Sequence, residues 1–496
     1  MDKLSSVDVP DRDEDDASPE AALEDGARMH RFDPKTASVA QAIVQYSLER
    51  IRLDPPPIGG PASQHDLDKY GPTVTPEGIG GMEALGLFRE TLAPATISQD
   101  HPRNWSFVPG APTEAAVLFD LVVGASSIYG GSWMEGAGAV WAENQALRWI
   151  ADLAGFPDTA GGVFVTGGTA GNLGALVAAR DRALRLCDGQ RPTRWFVLSS
   201  QGAHSSIAAA CRVMDVGVLT VATDSGGHMR ADGLALATAE ARRDGIAVGP
   251  DDTGEGGRVF ALVATGGTTN AGVIDDLYAA ADASLTHGLW LHVDGAYGGA
   301  ALCAPSVRER FNGIEHADSL VVDPHKWLFA PYDCAALIYR DPDVARHAHT
   351  QHAGYLEVLQ DDGEWNPSDY AFHLTRRARG LPFWYSLATH GTDAYRDAVE
   401  ASLTLTRQVA DEIESRPSLE LLARPELSVL LFRRLGWSAA QYHEWSDVML
   451  AEQRTFTVPT TVKGAPGTPP ETLLRFCFTH PRTTLKDVVG VLETLD

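Results

Sequence analysis

A single lysine at the end of a short apolar segment is the residue whose placement most suggests chemistry. The segment Ser319–Val322 predicts a buried strand, and the polar turn after it presents Lys326 beside Trp327. A lysine that forms an imine must lose its proton at neutral pH, and we expect burial against Trp327 to lower the pKa of Lys326 by desolvation. The residues therefore predict a nucleophilic lysine on a strand end; an ordinary surface lysine is the alternative.

A carboxylate stands 32 residues before this lysine, also at the predicted end of a strand, where Gly295 and Ala296 follow Asp294. Ligands of open α/β sheets bind at such strand ends. A carboxylate there can pair with a protonated pyridine nitrogen, which keeps the ring an electron sink. The small residues that follow suit the close approach of a flat ring. An aspartate that caps the next helix is the structural alternative.

A glycine-rich turn over residues 165–172 follows a third predicted strand and precedes a helix predicted from Leu173 to about Leu186. Exposed amides at a helix N-terminus, together with threonine hydroxyls, form a cradle for phosphate. The turn lacks the Gly-Lys-Ser/Thr ending of a P-loop, so it indicates a phosphate site of another kind.

These three features require a scaffold that brings strand ends together. Short apolar runs alternate with helical stretches through the middle of the chain, which predicts an α/β fold with a mostly parallel seven-stranded sheet, buried on both faces. The predicted strands are Val163–Val165, Trp195–Leu198, Val218–Val221, Val259–Val263, Trp290–Val293, Ser319–Val322 and Ala335–Tyr339.

The two ends of the chain have different patterns. Apolar residues recur at helical spacing from Pro34 to Leu53, until three consecutive prolines forbid continuation. After about residue 388 the pattern predicts a small α+β domain, composed of a long helix, strands near Val429–Phe432 and at Leu473–Phe478, and a loop over Gly464–Pro470 between them.

Composition excludes several classes of partner. A formal net charge of -26 argues against nucleic acid and against an acidic membrane surface. Five scattered cysteines predict neither a disulfide framework nor a zinc knuckle. Residues 1–25 contain ten Asp or Glu, which predicts a disordered acidic tail rather than a signal peptide. We therefore expect a cytoplasmic protein with no membrane span.

Asp294 and Lys326, with their spacing, resemble the group II pyridoxal-phosphate decarboxylases, which include aromatic-amino-acid, histidine and glutamate decarboxylases. The similarity runs from about Val39 to the C-terminus. It implies pyridoxal 5'-phosphate as cofactor, an amino acid as substrate, a homodimer, and a large domain of the PLP-dependent transferase-like fold (fold type I). From the resemblance together with the sequence patterns, we expect a division into an acidic tail over 1–30, an N-terminal helical arm over 31–110, a large cofactor-binding domain over 111–387 and a small C-terminal domain over 388–496.

The resemblance also assigns residues to the cofactor. His204 is implied to stack on the pyridine ring and to handle protons, although a histidine at such a position can also belong to the core. The other implied contacts are Gly168 and Thr169 with the phosphate, Asp294 with the pyridine nitrogen, Ala296 with the ring face, Thr269 near the cofactor, and His325 beside Lys326. Asp323 stands where many members have asparagine.

Two further matches bear on the reaction. Tyr355 resembles the loop tyrosine that protonates the carbanion left when carbon dioxide departs; relatives that make aldehydes often carry phenylalanine there, so simple decarboxylation is favoured. Arg475 resembles the arginine that orients the substrate carboxylate, a role suited to its fixed fork of donors. A packing tyrosine and a surface arginine are the structural alternatives.

The substrate is open at this point. Trp105 and Phe107 could wall a pocket for an aromatic side chain, Arg103 could attract an acidic one, and Gly110 replaces the threonine usual in relatives. We favour aromatic L-amino acids, with glutamate or 2,4-diaminobutyrate as alternatives. Rival readings are another enzyme of the same fold (aldehyde synthase, carbon-carbon lyase, aminotransferase), a silent binding protein, and a metal site at His347, His349 and His352, which lacks a nearby carboxylate.

Overall fold

The computed structural model describes residues 27–354, 356, 363–462 and 469–496. The chain divides into two compact units. Of the described residues, the first unit holds 27–54 and 61–96, and the second holds 55–60 and those from Ile97 onward. The predicted domain boundaries differ from this division and remain predictions. No helix in the described ranges is both long and apolar enough to cross a membrane.

The first unit is helical. It contains α1 (Pro34–Ile51), α2 (Gln64–Leu67) and α3 (Gly81–Leu87). The predicted first helix is confirmed, and it begins where the Asp33 side chain accepts a hydrogen bond from the Thr36 amide. A Cβ on Gly81 would lie 2.9 Å from Val39 Cγ1, so glycine permits the close approach of α1 and α3.

The second unit is built on a central sheet of eight strands in the order β1-β8-β7-β6-β5-β2-β3, with β4 paired to the start of β5. These strands are β1 (Gly161–Val165), β2 (Trp195–Ser200), β3 (Val216–Val221), β4 (Ile246–Val248), β5 (Gly257–Thr265), β6 (Trp290–Asp294), β7 (Ser319–Val322) and β8 (Ala335–Tyr339). β8 runs antiparallel to both of its neighbours, β1 and β7, and the other strand pairs of this sheet are parallel. All seven predicted strands are present, and the short β4 is the one that was missed.

Helices cover both faces of this sheet. The remaining helices are α4 (Glu114–Ala125), α5 (Trp133–Leu153), α6 (Gly168–Leu186), α7 (Ser205–Val213), α8 (Ala231–Arg243), α9 (Leu277–His287), α10 (Pro324–Trp327), α11 (Pro342–His349), α12 (Leu381–His390), α13 (Thr392–Glu414), α14 (Ala439–Ala451) and α15 (Leu485–Leu492). Neighbouring strand residues fall into opposite cores: Val197 packs with α6 and α7, whereas Leu198 packs in the cluster that includes α5, α8 and α9. This alternation explains the continuous apolar strands.

A smaller antiparallel sheet lies towards the C-terminus, in the order β11-β12-β10-β9. Its strands are β9 (Leu419–Leu421), β10 (Val429–Arg434), β11 (Thr460–Val462) and β12 (Glu471–Cys477). It shares a core with α13, α14 and α15, which confirms the predicted α+β character. Most of the loop predicted over Gly464–Pro470 lies outside the described residues.

Candidate active site

A cavity of about 230 Å³ opens at the carboxyl ends of the parallel strands of the central sheet. Strand ends of β1, β5, β6 and β7 all contribute to its wall, as the rule for open α/β sheets predicts. The predicted residues that line it are Gly168, Thr169, His204, Thr269, Asp294, Ala296, His325 and Lys326. The fold therefore brings together eight residues that are widely separated in the sequence.

Lys326 lies in α10, the single helical turn after β7. Its Nζ lies 2.8 Å from Asp323 Oδ2, and the side chain retains 23% of its exposure. Desolvation acts to lower the pKa of Lys326, but the neighbouring Asp323 carboxylate outweighs it and raises that pKa above its ordinary value. The predicted lowering is therefore wrong. The Trp327 ring stacks on Tyr297 with 5.5 Å between centroids.

Asp323 is the acidic residue that raises the pKa of Lys326. Its side chain is 2% exposed. Oδ1 has no hydrogen-bond partner among the described residues, and Oδ2 lies 3.7 Å from His325 Nε2. A carboxylate oxygen buried without a donor is costly. The cavity thus contains an acceptor that neighbouring protein groups leave unused.

Asp294 ends β6 and is buried at the floor of the cavity. Its Oδ1 accepts a hydrogen bond from the Ala296 amide at 3.1 Å, and its Oδ2 accepts one from Asn172 Nδ2 at 2.9 Å. The next helical turn begins at Gly298 without a side-chain cap, so the carboxylate is not a helix cap. It is held facing the cavity.

The glycine-rich turn starts the 19-residue helix α6. Gly167 occupies the N-cap position and has no side chain that could bond to the amides of the first turn. This turn lies on the cavity wall, so its amides are available to a ligand there. A Cβ on Gly168 would lie 2.9 Å from the Ala296 Cβ, so only glycine permits this approach. The helix was predicted to begin at Leu173; it begins at Gly168 because packing outweighs the low helix propensity of glycine.

His204 is an exposed residue at the N-cap of α7, not a core histidine. Its Nδ1 accepts a hydrogen bond from the Ser206 amide at 3.2 Å and lies 2.8 Å from Ser206 Oγ. The opposite edge of the ring, which carries Nε2, is free of these contacts. The ring can therefore serve both as the cap of α7 and as a wall of the cavity.

Arg475 is buried beside the cavity but does not line it. Its Nη2 donates to the Thr269 carbonyl at 2.6 Å, and its Nε donates to the Asn270 carbonyl at 3.3 Å. These bonds fasten β12 to the turn that follows β5. The surface-arginine alternative is wrong, and its predicted contact with a substrate carboxylate remains a prediction.

The two aromatic residues predicted for the substrate pocket lie elsewhere in the described structure. Trp105 is fully buried between Phe476 and Phe478, with ring centroids 4.9 and 5.5 Å away, and it belongs to the C-terminal core. Phe107 is exposed and packs edge-on against Phe456. Neither lines the cavity. Trp105 is therefore a core residue, which was the structural alternative to a role in the substrate pocket.

Tyr355, the predicted proton donor, lies outside the described residues, so its role stays a prediction. The proposed histidine metal cluster is not supported by side-chain geometry: His347 Nδ1 lies 2.8 Å from Asp181 Oδ2, and His349 Nε2 donates to the Gly174 carbonyl. Within the described ranges no group of histidine, cysteine or acidic side chains could hold a metal ion.

Asn172, Ser206 and Tyr332 are among the residues that line the cavity but to which sequence reasoning assigned no role. Asn172 lies one helical turn after Gly168, a spacing that places both on one face of α6. Ser206 follows His204 by two residues and bonds to it. No local pattern marks Tyr332, whose ring lies 5.0 Å from that of His325.

Comparisons with known proteins agree with this geometry. A model of the pyridoxal-dependent decarboxylase conserved domain matches residues 82–435. An aromatic-L-amino-acid decarboxylase of Bacillus atrophaeus is 28% identical over 435 residues, which cover 86% of this chain and 87% of that protein. An L-2,4-diaminobutyrate decarboxylase of Rhizobium meliloti is 30% identical over 411 residues, 80% of this chain and 77% of that protein.

The fold also has solved counterparts. A crystal structure of Oryza sativa TDC with PLP and tryptamine superposes with a TM-score of 0.83 at 21% identity, covering 94% of this chain and 98% of that one. A crystal structure of mouse CSAD superposes with a TM-score of 0.81 at 22% identity, covering 93% and 98%. The chain has the fold type I architecture that the sequence predicted.

Proposed function

Because the chain belongs to the pyridoxal-dependent decarboxylase family, whose model matches residues 82–435, we propose that Lys326 bonds the cofactor and that Asp294 holds its pyridine nitrogen. The chain is a pyridoxal-phosphate-dependent carboxy-lyase that converts an L-amino acid to an amine and carbon dioxide. The observation that carries the residue assignment is the shared cavity, in which the Lys326 amine, the buried Asp294 carboxylate and the N-terminus of α6 face the same space.

The residues around the cavity fit this cofactor. The first-turn amides of α6 and the hydroxyl of Thr169 suit a phosphate group. Thr265 Oγ1 and Asp323 Oδ1 are buried at the cavity and lack hydrogen-bond partners among the described residues. Gly168 and Ala296 lie side by side, and their small size leaves room for a flat ring. A flat, anionic ligand with further hydrogen-bonding groups would meet each of these features.

When bound, the cofactor supplies an electron sink for the pair released as the bond between Cα and the carboxylate breaks. Lys326 would hold the cofactor through Nζ, which must first give up a proton. Asp294 would accept a hydrogen bond from the protonated pyridine nitrogen and so keep the proton there. His204 would cover the face of the ring. Tyr355 delivers a proton to Cα of the substrate after carbon dioxide has left.

We propose aromatic L-amino acids as the substrate class. The aromatic-L-amino-acid decarboxylase of Bacillus atrophaeus supports this, as does Tyr332, a half-exposed aromatic ring on the cavity wall. The 30% identity with an L-2,4-diaminobutyrate decarboxylase makes that amino acid the second candidate. Arg475 donates hydrogen bonds to two backbone carbonyls, and these bonds compete with any bond from Arg475 to an acidic substrate side chain.

An amino-acid panel tests this function. Purified protein reconstituted with pyridoxal phosphate is incubated with L-tryptophan, L-tyrosine, L-phenylalanine, L-2,4-diaminobutyrate and L-glutamate, and carbon dioxide and amine are measured together. Equal amounts of the two from an aromatic substrate support the proposal. Turnover of only 2,4-diaminobutyrate or glutamate would reassign the substrate, and aldehyde or keto acid in place of amine would contradict simple decarboxylation.

We further propose a homodimer, in which the first unit provides an arm. None of the residues of α1 is buried, and Ile43 and Val44 expose 43% and 44% of their surface. In the second unit, Leu121 of α4 and Trp141 of α5 expose 56% and 54%. Apolar surfaces of this kind mark interaction sites. Light scattering should give twice the chain mass of 53.1 kDa; a monomer with full activity would contradict this.

A further inference from the structure

Asn172 is the centre of a buried polar network behind the cavity. The residue is 1% exposed. Its Nδ2 lies 2.9 Å from both Asp294 Oδ2 and Ser206 Oγ, and its Oδ1 lies 2.8 Å from His292 Nε2. One amide side chain thus contacts the proposed partner of the pyridine nitrogen and the serine that bonds to His204. Asn172 lies in α6, and the partners of its side chain lie in α7 and β6.

The chemistry of the partners fixes the direction of each hydrogen bond. An ionised carboxylate only accepts, so the Asn172 amide group must donate to Asp294, and its oxygen must accept from His292. Burial lowers the pKa of His292 to about 4, so its ring is neutral and carries its proton on Nε2. Nδ1 of that ring then accepts from the Ser319 hydroxyl, 2.8 Å away, whose oxygen accepts from Trp290 Nε1.

A second branch reaches His204. Ser206 Oγ accepts from Asn172, which leaves its own proton for His204 Nδ1. The Ser206 backbone amide also donates a hydrogen bond to that nitrogen, at 3.2 Å. With two donors at Nδ1, the neutral His204 ring must carry its proton on Nε2, on the side away from Ser206. Every bond in the network therefore has one permitted direction.

We propose that Asn172 is a positioning residue that couples Asp294 to His204, holding the first as an oriented carboxylate and the second in the Nε2–H form. The inference rests on the proposed function, in which Asp294 faces the pyridine nitrogen and His204 faces the ring. Hydrogen bonds to charged groups contribute more than neutral ones. Loss of the Asn172 donor should therefore weaken cofactor binding although the side chain itself is nearly inaccessible.

Two substitutions of Asn172 separate positioning from packing. Asn172→Ala removes all three bonds, and cofactor affinity should fall about 10- to 100-fold. Asn172→Asp is nearly isosteric and keeps an acceptor for His292, but it sets a second carboxylate against Asp294. At pH 8 it should bind cofactor more weakly than Asn172→Ala. At pH 5.5 this pair of carboxylates takes up a proton, which restores a hydrogen-bond donor between them. The loss of cofactor affinity of Asn172→Asp relative to the parent should therefore be smaller at pH 5.5 than at pH 8.

The measurement is the dissociation constant of pyridoxal phosphate, followed by absorbance without substrate at pH 8 and pH 5.5. The titratable groups that face Asn172 are Asp294 and His292, and the same cavity is lined by Lys326, His204, Asp323 and His325. Each variant is therefore compared with the parent at each pH. Asn366 provides the control: it is 4% exposed, and its Oδ1 accepts a bond from the Trp133 amide. Asn366→Ala and Asn366→Asp should leave the dissociation constant within twofold of the parent.

The possible outcomes are distinct. Parent-like binding by both Asn172 variants, or an Asn172→Asp deficit that does not change with pH, overturns the inference. Asp294→Ala separates it from the proposed function: if that variant binds cofactor as tightly as the parent, the assignment of Asp294 fails. If Asp294→Ala binds weakly while the Asn172 variants bind normally, the assignment stands and only the coupling through Asn172 is wrong.

Discussion

The ion pair between Lys326 and Asp323 predicts a specific response to Asp323→Asn. At 2.8 Å, two unit charges attract by about 6 kcal/mol at an effective dielectric constant of about 20. Desolvation of both groups offsets part of this. The asparagine oxygen still accepts one hydrogen bond, so we expect the cofactor-free variant to lose about 2 to 3 kcal/mol of unfolding free energy at pH 7, less than the full cost of a broken buried pair.

The pH dependence provides a second check of the same pair. The Asp323 carboxylate raises the pKa of Lys326 above its ordinary value of 10.5. The parent therefore keeps the stability of the pair below pH 10.5 and loses it as the pH rises through the raised pKa. In the variant the desolvation of the buried lysine is opposed only by the more distant Asp294 carboxylate, so we expect Lys326 to bind its proton more weakly than the unfolded chain does. The gap in stability should consequently narrow as the pH rises from 7 towards 10.5.

Urea unfolding of the cofactor-free proteins at several pH values measures both effects. Asp411→Asn is the control, because Asp411 forms a pair of similar length, 2.7 Å, with Arg424, and both side chains are largely exposed. That variant should lose no more than about 1 kcal/mol. If Asp323→Asn is as stable as the parent at pH 7, or if the gap is independent of pH, the described ion pair does not govern the charge of Lys326.

Two further predictions concern the chemistry and the packing of the site. Tyr355→Phe should retain cofactor binding but divert product from amine to aldehyde; an unchanged amine yield would remove Tyr355 from the mechanism. Gly110→Ala should cost about 1 to 3 kcal/mol of unfolding free energy, since its Cβ would lie 2.4 Å from the His325 carbonyl oxygen. Gly124→Ala, with nothing within 4 Å, should instead stabilise by about 0.5 to 1 kcal/mol; equal effects of the two would contradict the described packing.

The convergence of Asp294 and Lys326 on one cavity could be predicted because it depends on local patterns. Continuous apolar runs marked β6 and β7, and polar residues at their ends marked Asp294 and Lys326. Since parallel strands end at the same edge of a sheet, these residues had to converge. The glycine-rich turn over residues 165–172 marked the phosphate region, although the helix begins at Gly168 and not at the predicted Leu173.

The features that were missed depend on contacts between distant segments. The charge of Lys326 is decided by a carboxylate three residues away whose orientation the sequence does not specify. The burial of Trp105 follows from its contact with β12, more than 350 residues later, as the ring contact with Phe476 shows. The three-residue strand β4 is too short to carry a period of its own.

The most direct test of the account locates the cofactor bond. The chain has lysines at Lys3, Lys35, Lys69, Lys326, Lys463 and Lys486. Borohydride reduction of the reconstituted protein, followed by digestion and peptide mass mapping, fixes the cofactor to the lysine that holds it. We predict that the label lies on the peptide that contains Lys326 and that Lys326→Ala remains unlabelled. A label on another lysine in the parent, or a full label in the variant, would contradict the assignment.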